Sequence, residues 1–387
     1  MRDLPARATK FCRGLALATA TAASLLASVS PVGAAKPATR QFGDWIATCD
    51  NTLSCSVVEA NSIFAPFRLE ITREAGASQG PVLKLQVSAA LWPSESARQF
   101  TVSTPGRLKS SLTFVVTNAA GFAISPRNGA AAIRFIHTLA ASPSALLPAG
   151  QTLPQNTADA GFSVSLAGLR RALRWVDEHQ GRQDASTALA AVGSRRDFTV
   201  VRQLPWIRSA ASVSQSDLPA TPARLRASVA QGCDPFPEGA NALVARLSAH
   251  IYLWAIPCMD GAYNRGYRAV LADARGRGVR SAGIGLGEHQ KSLAGLIFNP
   301  GFDAAHMTLK SRVMDRALAD CGEYAAFVWT GRAFEEAWDA AAVPCEGLDI
   351  SWWPTLRRAR LIGAPANYLA TFSGTEQAWM PATTADR

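Results

Sequence analysis

Apolar and polar residues alternate along several short stretches between residues 42 and 125, and this alternation is typical of strands with one buried face. The clearest stretches are residues 67–72, 82–87, 100–102 and 112–116. Two further apolar runs flank Asp50, Asn51 and Thr52, a sequence that favours a tight turn. The pattern predicts an antiparallel sheet that starts with a hairpin.

A three- and four-residue spacing of apolar residues predicts a helix that ends near Gln180. Its apolar stripe is Leu166, Leu169, Leu173 and Val176. Ser165 is a suitable N-cap, and Gly181 suits the left-handed conformation that ends a helix. Residues 130–140 predict a second helix, and residues 186–192 predict a short one that ends at Gly193.

A stretch rich in proline and serine, near residues 204–222, predicts a domain boundary, because apolar and aromatic strand patterns resume beyond it. We therefore expect a β-rich α+β protein. An antiparallel β-sandwich-like domain with packed helices precedes a β-rich C-terminal domain. The predicted divisions are a signal peptide 1–35, the sandwich-like domain 36–204, a linker 205–222, a disulfide-stapled domain 223–365 and a tail 366–387.

The composition is that of a folded protein, since 48% of the 387 residues are hydrophobic and 18% are charged. A wholly disordered chain, a collagen and a coiled coil are excluded. After residue 35 no run approaches the roughly 18 apolar residues of a membrane helix. We expect no transmembrane segment once a signal peptide is removed.

The net charge is +10, with 33 arginines and 6 lysines interleaved with acids. Local clusters occur at residues 169–171 and 356–360. Each is either a solvated face or a docking surface for anionic lipid phosphates or glycans. We expect no nucleic-acid partner, because no nucleic-acid-binding motif is present.

The first 35 residues have the pattern of a secretory signal peptide. Its basic residues are Arg2, Arg7, Lys10 and Arg13. An apolar run at residues 14–29 follows, and small residues around Ala34 fit a cleavage site. An anchoring helix is the alternative, but the run is short and is followed by Pro31. We expect export to the periplasm of a Gram-negative cell, or secretion.

Six cysteines remain after residue 35, and an even number in an oxidising compartment indicates disulfides. They are Cys49, Cys55, Cys233, Cys258, Cys321 and Cys345. Fifteen connectivities are open, and the spacings favour sequential neighbours. A metal site or a catalytic thiol is the competing interpretation, but no Cys-x-x-Cys and no suitably spaced histidine are present.

Established catalytic motifs are absent from the sequence. There is no Gly-x-Ser-x-Gly nucleophile turn, and Gly283, Gly285 and Gly287 form neither a Walker loop nor a dinucleotide fingerprint. The five histidines lack metal-binding spacing. We expect no cofactor, no metal and no catalytic residue, so whether the chain is an enzyme stays open, with a non-enzymatic role favoured.

Three polar residues at the end of the predicted helix that stops at Gly181 are binding candidates. Asp177 and Gln180 are one turn apart, and Arg182 follows the helix end. Arg182 there would offset the helix dipole and bond to Asp177. The group is therefore either structural or a polar binding site.

Two pairs of residues near cysteines are further candidates. Tyr263 and Asn264 offer an aromatic platform and an amide for a glycan or peptide, or they form a packed turn. Asp320 and Glu323 flank Cys321 and suit the acid and base of a glycosidase, or they belong to a capped turn.

Five short strings stand in a shared order along nearly the whole chain after residue 36. They are residues 42–45 leading to Cys49 and Cys55, residues 169–182, residues 262–264, residues 320–322 with Trp329 and Gly331, and Cys345 with Gly347 and Trp352. In this order they resemble the DUF1176 family, exported bacterial proteins of unknown function. The resemblance implies export and carries over no activity.

The sequence departs from that family pattern at two positions, where Thr330 replaces an aspartate and Glu346 replaces an arginine. If those family residues serve a ligand, this chain has lost it. The N-terminal half is also similar to invasion-associated locus B proteins, which are exported β-sandwich domains. That similarity covers about half the chain.

We therefore expect an exported periplasmic protein that acts as a non-enzymatic, envelope-associated binding or interaction protein. Its expected partner is an envelope glycan, an anionic lipid or another protein. Two alternatives stay open: a hydrolase acting on cell-wall glycan or peptide, and a secreted factor or inhibitor that binds host or competitor proteins.

Overall fold

A computed structural model gives the fold of this chain. It describes residues 35–60, 67–76, 80–87, 99–105, 110–116, 122–124, 129–147, 162–197, 203–234, 241–284, 296–318, 320–342, 345, 353–365 and 368–369. Residues 1–34 of the predicted signal peptide, most of the predicted tail and Glu346 lie outside these residues. No helix of the described residues is long and apolar enough to cross a membrane.

Ten strands of the described residues form an antiparallel sheet in the N-terminal half, ordered β1-β2-β3-β4-β5-β8-β7-β6-β9-β10. The strands are β1 Ala38–Phe42, β2 Trp45–Cys49, β3 Cys55–Glu59, β4 Phe67–Arg73, β5 Val82–Val87, β6 Gln99–Ser103, β7 Ser111–Val116, β8 Phe122–Ile124, β9 Ser144–Leu147 and β10 Phe162–Ser165. The predicted hairpin is β2–β3, in which Cys49 pairs with Cys55.

Two helices, α1 (Gly129–Ala140) and α2 (Leu169–His179), pack with this sheet around one apolar core. Trp45 is completely buried there, and its indole N–H donates to the Ser165 carbonyl at 3.2 Å. The predicted helix 130–140 is thus confirmed as α1. The alternation predicted for β4 and β5 places Leu69 and Leu85 in the same core.

Helix α2 starts differently from the prediction and ends as predicted. The N-cap is Gly168, with φ of 99°, and not Ser165. A Cβ at Gly168 would lie 1.6 Å from the Phe42 carbonyl oxygen, so only glycine fits where the helix start meets β1. Gly181 adopts φ of 65° and ends the helix, as expected.

The predicted helix at residues 186–192 is wrong, since this segment forms turns. The reason is that a carboxylate outside the segment binds two of its backbone N–H groups. The Asp177 carboxylate accepts hydrogen bonds from the N–H groups of Leu189 and Ala190, which therefore do not serve a helix.

Two five-stranded sheets and a short helix make up the described residues of the C-terminal half. The sheets pack through Leu253, Leu271, Leu309 and Phe327. The elements are helix α3 Ala223–Val229; β12 Leu243–Arg246, β13 Tyr252–Asp260, β14 Arg265–Ala272, β15 Arg280–Ser281 and β16 Ile297–Phe298 in one sheet; and β17 Gly301–Asp303, β18 Thr308–Met314, β19 Gly322–Trp329, β20 Phe334–Ala342 and β21 Thr355–Arg358 in the other. The β-rich fold class is confirmed.

A two-stranded parallel ribbon joins distant parts of the chain. It pairs β11 (Trp206–Arg208) with β22 (Arg360–Ile362), so the segment predicted as a linker contains a strand. Ile207 and Leu361 are buried in a core that also contains Ile46 of β2 and Trp338 of β20. The domain boundaries themselves stay a prediction.

Three disulfides join Cys49 to Cys55, Cys233 to Cys258 and Cys321 to Cys345. These are the sequential pairs that the spacing favours. The first closes the turn between β2 and β3, and the second ties the segment after α3 to β13. All six of these cysteines are paired, as the framework interpretation predicts.

Candidate functional site

The structure brings Asp177, Gln180 and Arg182 together, but in a buried position. The Asp177 carboxylate lies 2.9 Å from the Leu189 nitrogen and 2.8 Å from the Ala190 nitrogen. Gln180 Nε2 donates to the Leu53 carbonyl at 2.8 Å and to the Arg73 carbonyl at 3.0 Å. These bonds fix the end of α2 against the β2–β3 hairpin turn and β4.

Arg182 is fully buried, and its ion pair is with Asp197 rather than with Asp177, at 3.0 Å from Nη1 to Oδ2. Burial lowers the pKa of Arg182, and burial raises the pKa of Asp177 against the opposing backbone hydrogen bonds. Burial also lowers the pKa of Arg73 to about 10, with Arg182 adding to the effect. Arg73 and Asp197, which were not predicted from the sequence, complete a largely buried charge cluster.

Tyr263 and Asn264 hold one C-terminal sheet to the other. Asn264 Nδ2 donates to the Met314 carbonyl at 2.6 Å, and the Met314 N–H donates back to Asn264 Oδ1 at 3.0 Å. The Tyr263 hydroxyl donates to the Asp315 carbonyl at 3.1 Å. The amide that would recognise a ligand is therefore bonded to the backbone of β18.

Asp320 and Glu323 lie in different electrostatic environments. Asp320 accepts from Arg316 Nε at 2.7 Å, and this bond is the main cause of its lowered pKa. Glu323 is buried in β19. There it adds to the raised pKa of Asp339, for which burial is the main cause and Glu336 a further one. The carboxyl group with a raised pKa in this region is therefore that of Asp339, which was not among the residues predicted from the sequence.

A second polar group that sequence reasoning missed lies around the β17–β18 turn. Asp303 Oδ2 accepts from the Tyr368 hydroxyl at 2.6 Å and lies 3.0 Å from His306 Nδ1. Burial acts to raise the pKa of Asp303, but these two hydrogen bonds hold it below its ordinary value. The only sequence signal is the three-residue separation of Asp303 and His306.

An exposed groove lies beside the β11–β22 ribbon, with a volume of about 490 Å³. Its lining residues are Thr52, Glu74, Ala75, Gln203, Leu204, Trp206, Arg358 and Arg360. Trp206 is 57% exposed, and the Arg360 guanidinium lies 4.5 Å from the centre of its ring. The arginines at 356–360 were predicted from the sequence as a candidate docking surface. Trp206 was not predicted, because it lies in the segment predicted to be a linker.

Arg358 forms the inner wall of this groove and is held rigidly. Its Nε lies 2.5 Å from Asp50 Oδ2, and its Nη2 lies 2.9 Å from Thr52 Oγ1 and 3.2 Å from Glu74 Oε2. Burial would lower the pKa of Arg358, but Asp50 and Glu74 raise it above the ordinary value. The side chain is a permanently charged, fixed donor.

Of the two departures from the expected family pattern, the structure describes only Thr330. Thr330 lies in the turn between β19 and β20, where its hydroxyl donates to the Ala333 carbonyl at 2.9 Å. A threonine therefore suits this turn structurally. Glu346 lies outside the described residues.

Known proteins are similar to this chain over nearly all of its described residues. The family model described as a protein of unknown function, DUF1176, matches residues 39–360. The uncharacterized protein YpfG of Escherichia coli (strain K12) is 25% identical over 344 residues, which cover 83% of this chain and 93% of that protein. No solved structure matches. The similarity to invasion-associated locus B proteins stays a prediction.

Proposed function

This chain belongs to the DUF1176 family of proteins of unknown function, and we propose that it is an exported periplasmic protein that binds a component of the cell envelope without transforming it. We assign binding to the ribbon face, defined as the outward side of the β11–β22 ribbon with Trp206, Arg208 and Arg360, together with the adjoining groove.

The observation that carries this proposal is the exposed, positively flanked tryptophan. A large aromatic side chain with more than half its surface in solvent loses the free energy of burial, and tryptophan is enriched at interaction sites. Leu204 beside it is 38% exposed. Arg360 adds directional donors to the same groove, whereas the guanidinium of Arg358 is already bonded to Asp50, Thr52 and Glu74.

The hydrolase alternative receives less support from the geometry. Asn264 is bonded to backbone groups, and Asp320 is ion-paired with Arg316. A glycosidase acid needs a raised pKa, whereas that of Asp320 is lowered. Glu323 is buried in the middle of a sheet.

Export is supported by two features. The signal-like pattern of residues 1–35 provides a route across the inner membrane. The three disulfides are typical of proteins from oxidising compartments.

The first experiment expresses the complete chain in a Gram-negative host and determines its compartment, intact mass and disulfides. We expect a periplasmic protein that has lost about 35 residues. The purified protein is then sedimented with washed envelope fragments, beside a W206A/R360A double variant. The control is R280A, which removes an exposed arginine from β15.

Wild type and R280A should sediment with the fragments, and the double variant should stay in the supernatant. An uncleaved cytoplasmic chain would refute export. Equal sedimentation of all three proteins would refute the assignment to the ribbon face. Release of soluble sugar or peptide from the fragments by wild type would replace binding by the hydrolase alternative.

A further inference from the structure

Resting on the proposed function, we infer that the ribbon face recognises an acidic oligosaccharide. One sugar ring stacks on the indole of Trp206, and its carboxylate or phosphate pairs with Arg360 and Arg208. The arrangement follows from the register of the ribbon, its charge balance and the volume of the groove.

The register places the three side chains on one side. Trp206 pairs with Arg360 and Arg208 pairs with Ile362, while Ile207 and Leu361 between them are buried. Since side chains alternate across a strand, Trp206, Arg208 and Arg360 face outward together. The guanidinium of Arg360 stacks on the Trp206 ring, and the exposed remainder of the indole is open to a ligand.

The charge of the ribbon face is not neutralised by any acidic side chain among the described residues. Within the part of the chain that the structure describes, neither Arg208 nor Arg360 forms an ion pair with an acidic side chain. By contrast, the charge of Arg358 is balanced by Asp50 and Glu74. Two unbalanced guanidinium groups beside an aromatic ring complement an anion attached to a ring-shaped ligand.

Glu74 favours a sugar over a lipid surface as the source of that anion. Its side chain is 59% exposed at the groove and carries a negative charge, so the ligand's anion belongs beside Arg360 and Arg208 and a hydroxyl-bearing part of the sugar belongs beside Glu74. A continuous layer of phosphate headgroups offers no such uncharged part. A carboxylate at this place accepts hydrogen bonds from hydroxyl groups, which sugars supply. The tryptophan offers the flat apolar surface that the carbon–hydrogen face of a sugar ring covers.

The groove volume of about 490 Å³ suits a short oligosaccharide. It falls within the roughly 300–1,000 Å³ of ordinary ligand sites. A single small anion would leave most of this volume unfilled, so we assign several sugar units to it.

The test is isothermal titration of the purified mature protein with tetragalacturonate. The matched ligand is its fully methyl-esterified form, which keeps the rings and removes the charges. We expect tetragalacturonate to bind, with affinity falling as salt is raised. We expect W206A and R360A each to weaken binding about tenfold.

The variants R280A and W206F serve as controls. R280A removes the same charge elsewhere and should bind as wild type does, and W206F should keep part of the affinity because it keeps an aromatic face. Circular dichroism and thermal unfolding of every variant verify folding. Equal binding of the esterified ligand, or a loss shared by R280A, would overturn the inference.

Three further outcomes separate this inference from the function on which it rests. If envelope sedimentation depends on Trp206 but tetragalacturonate does not bind, the acidic-sugar assignment is overturned while envelope binding stands. If phosphatidylglycerol vesicles bind in a Trp206-dependent manner and tetragalacturonate does not, the anion belongs to a lipid. If sedimentation also fails, the proposed function itself falls.

Discussion

Replacing Asn51 by alanine should destabilise the whole molecule, because this side chain joins its two halves. Asn51 is 1% exposed. Its Nδ2 donates to the Arg358 carbonyl at 3.0 Å, and the Arg358 N–H donates to its Oδ1 at 2.8 Å. The substitution removes both bonds. Each of the two polar groups left unpaired costs about 1–3 kcal/mol, so we expect a loss of about 2–6 kcal/mol in the free energy of unfolding.

Urea unfolding at pH 7 with the disulfides intact measures this loss, followed by tryptophan fluorescence and by circular dichroism. The matched control is Asn241→Ala, which removes an exposed amide and should change stability by less than about 0.5 kcal/mol. A loss in Asn51→Ala no larger than that of the control would refute the reasoning. It would mean that water replaces both bonds at no cost.

Three other changes test the framework. Replacing Cys321 and Cys345 by serine opens a loop of 24 residues and should cost about 3.5 kcal/mol in urea unfolding; an unchanged midpoint would contradict this. Burial lowers the pKa of Lys310 from 10.5 to about 8 in the folded protein. Between these two pH values the unfolded chain binds the proton and the folded protein does not, so the free energy of unfolding rises as the pH is raised from about 8 to 10.5. Lys310→Met should lose that rise, and an identical pH slope in both proteins would count against it. Asp177→Asn replaces one of the two acceptor oxygens that receive the N–H groups of Leu189 and Ala190 by a donor and should cost about 1–3 kcal/mol, whereas an unchanged unfolding midpoint would show these bonds to be dispensable.

Local sequence patterns predicted the features that depend on neighbouring residues. The hairpin of β2 and β3, helix α2 and the end of that helix at Gly181 follow from alternation, periodicity and turn chemistry. The cysteine pairs also join sequential neighbours, the shortest connections available. In each case the chemistry that forms the structure lies within about 25 residues.

Features that depend on distant contacts were not predictable in this way. Asp50 and Arg358 are 308 residues apart in the sequence, so no local pattern pairs them. Trp206 stands in a proline-rich segment that only becomes a strand by pairing with β22. At residues 186–192, the Asp177 carboxylate decides the backbone conformation from outside the segment.

The pairing of β11 with β22 has a consequence for the order in which the molecule is made. A chain leaves the ribosome N-terminus first, so Trp206 emerges long before Arg358 and Arg360 exist. Until then the turn at Asp50 and Asn51 lacks its partners, and the ribbon has a single strand. The ribbon face therefore cannot form before the last part of the chain is made, and a chain broken off before residue 358 would lack it.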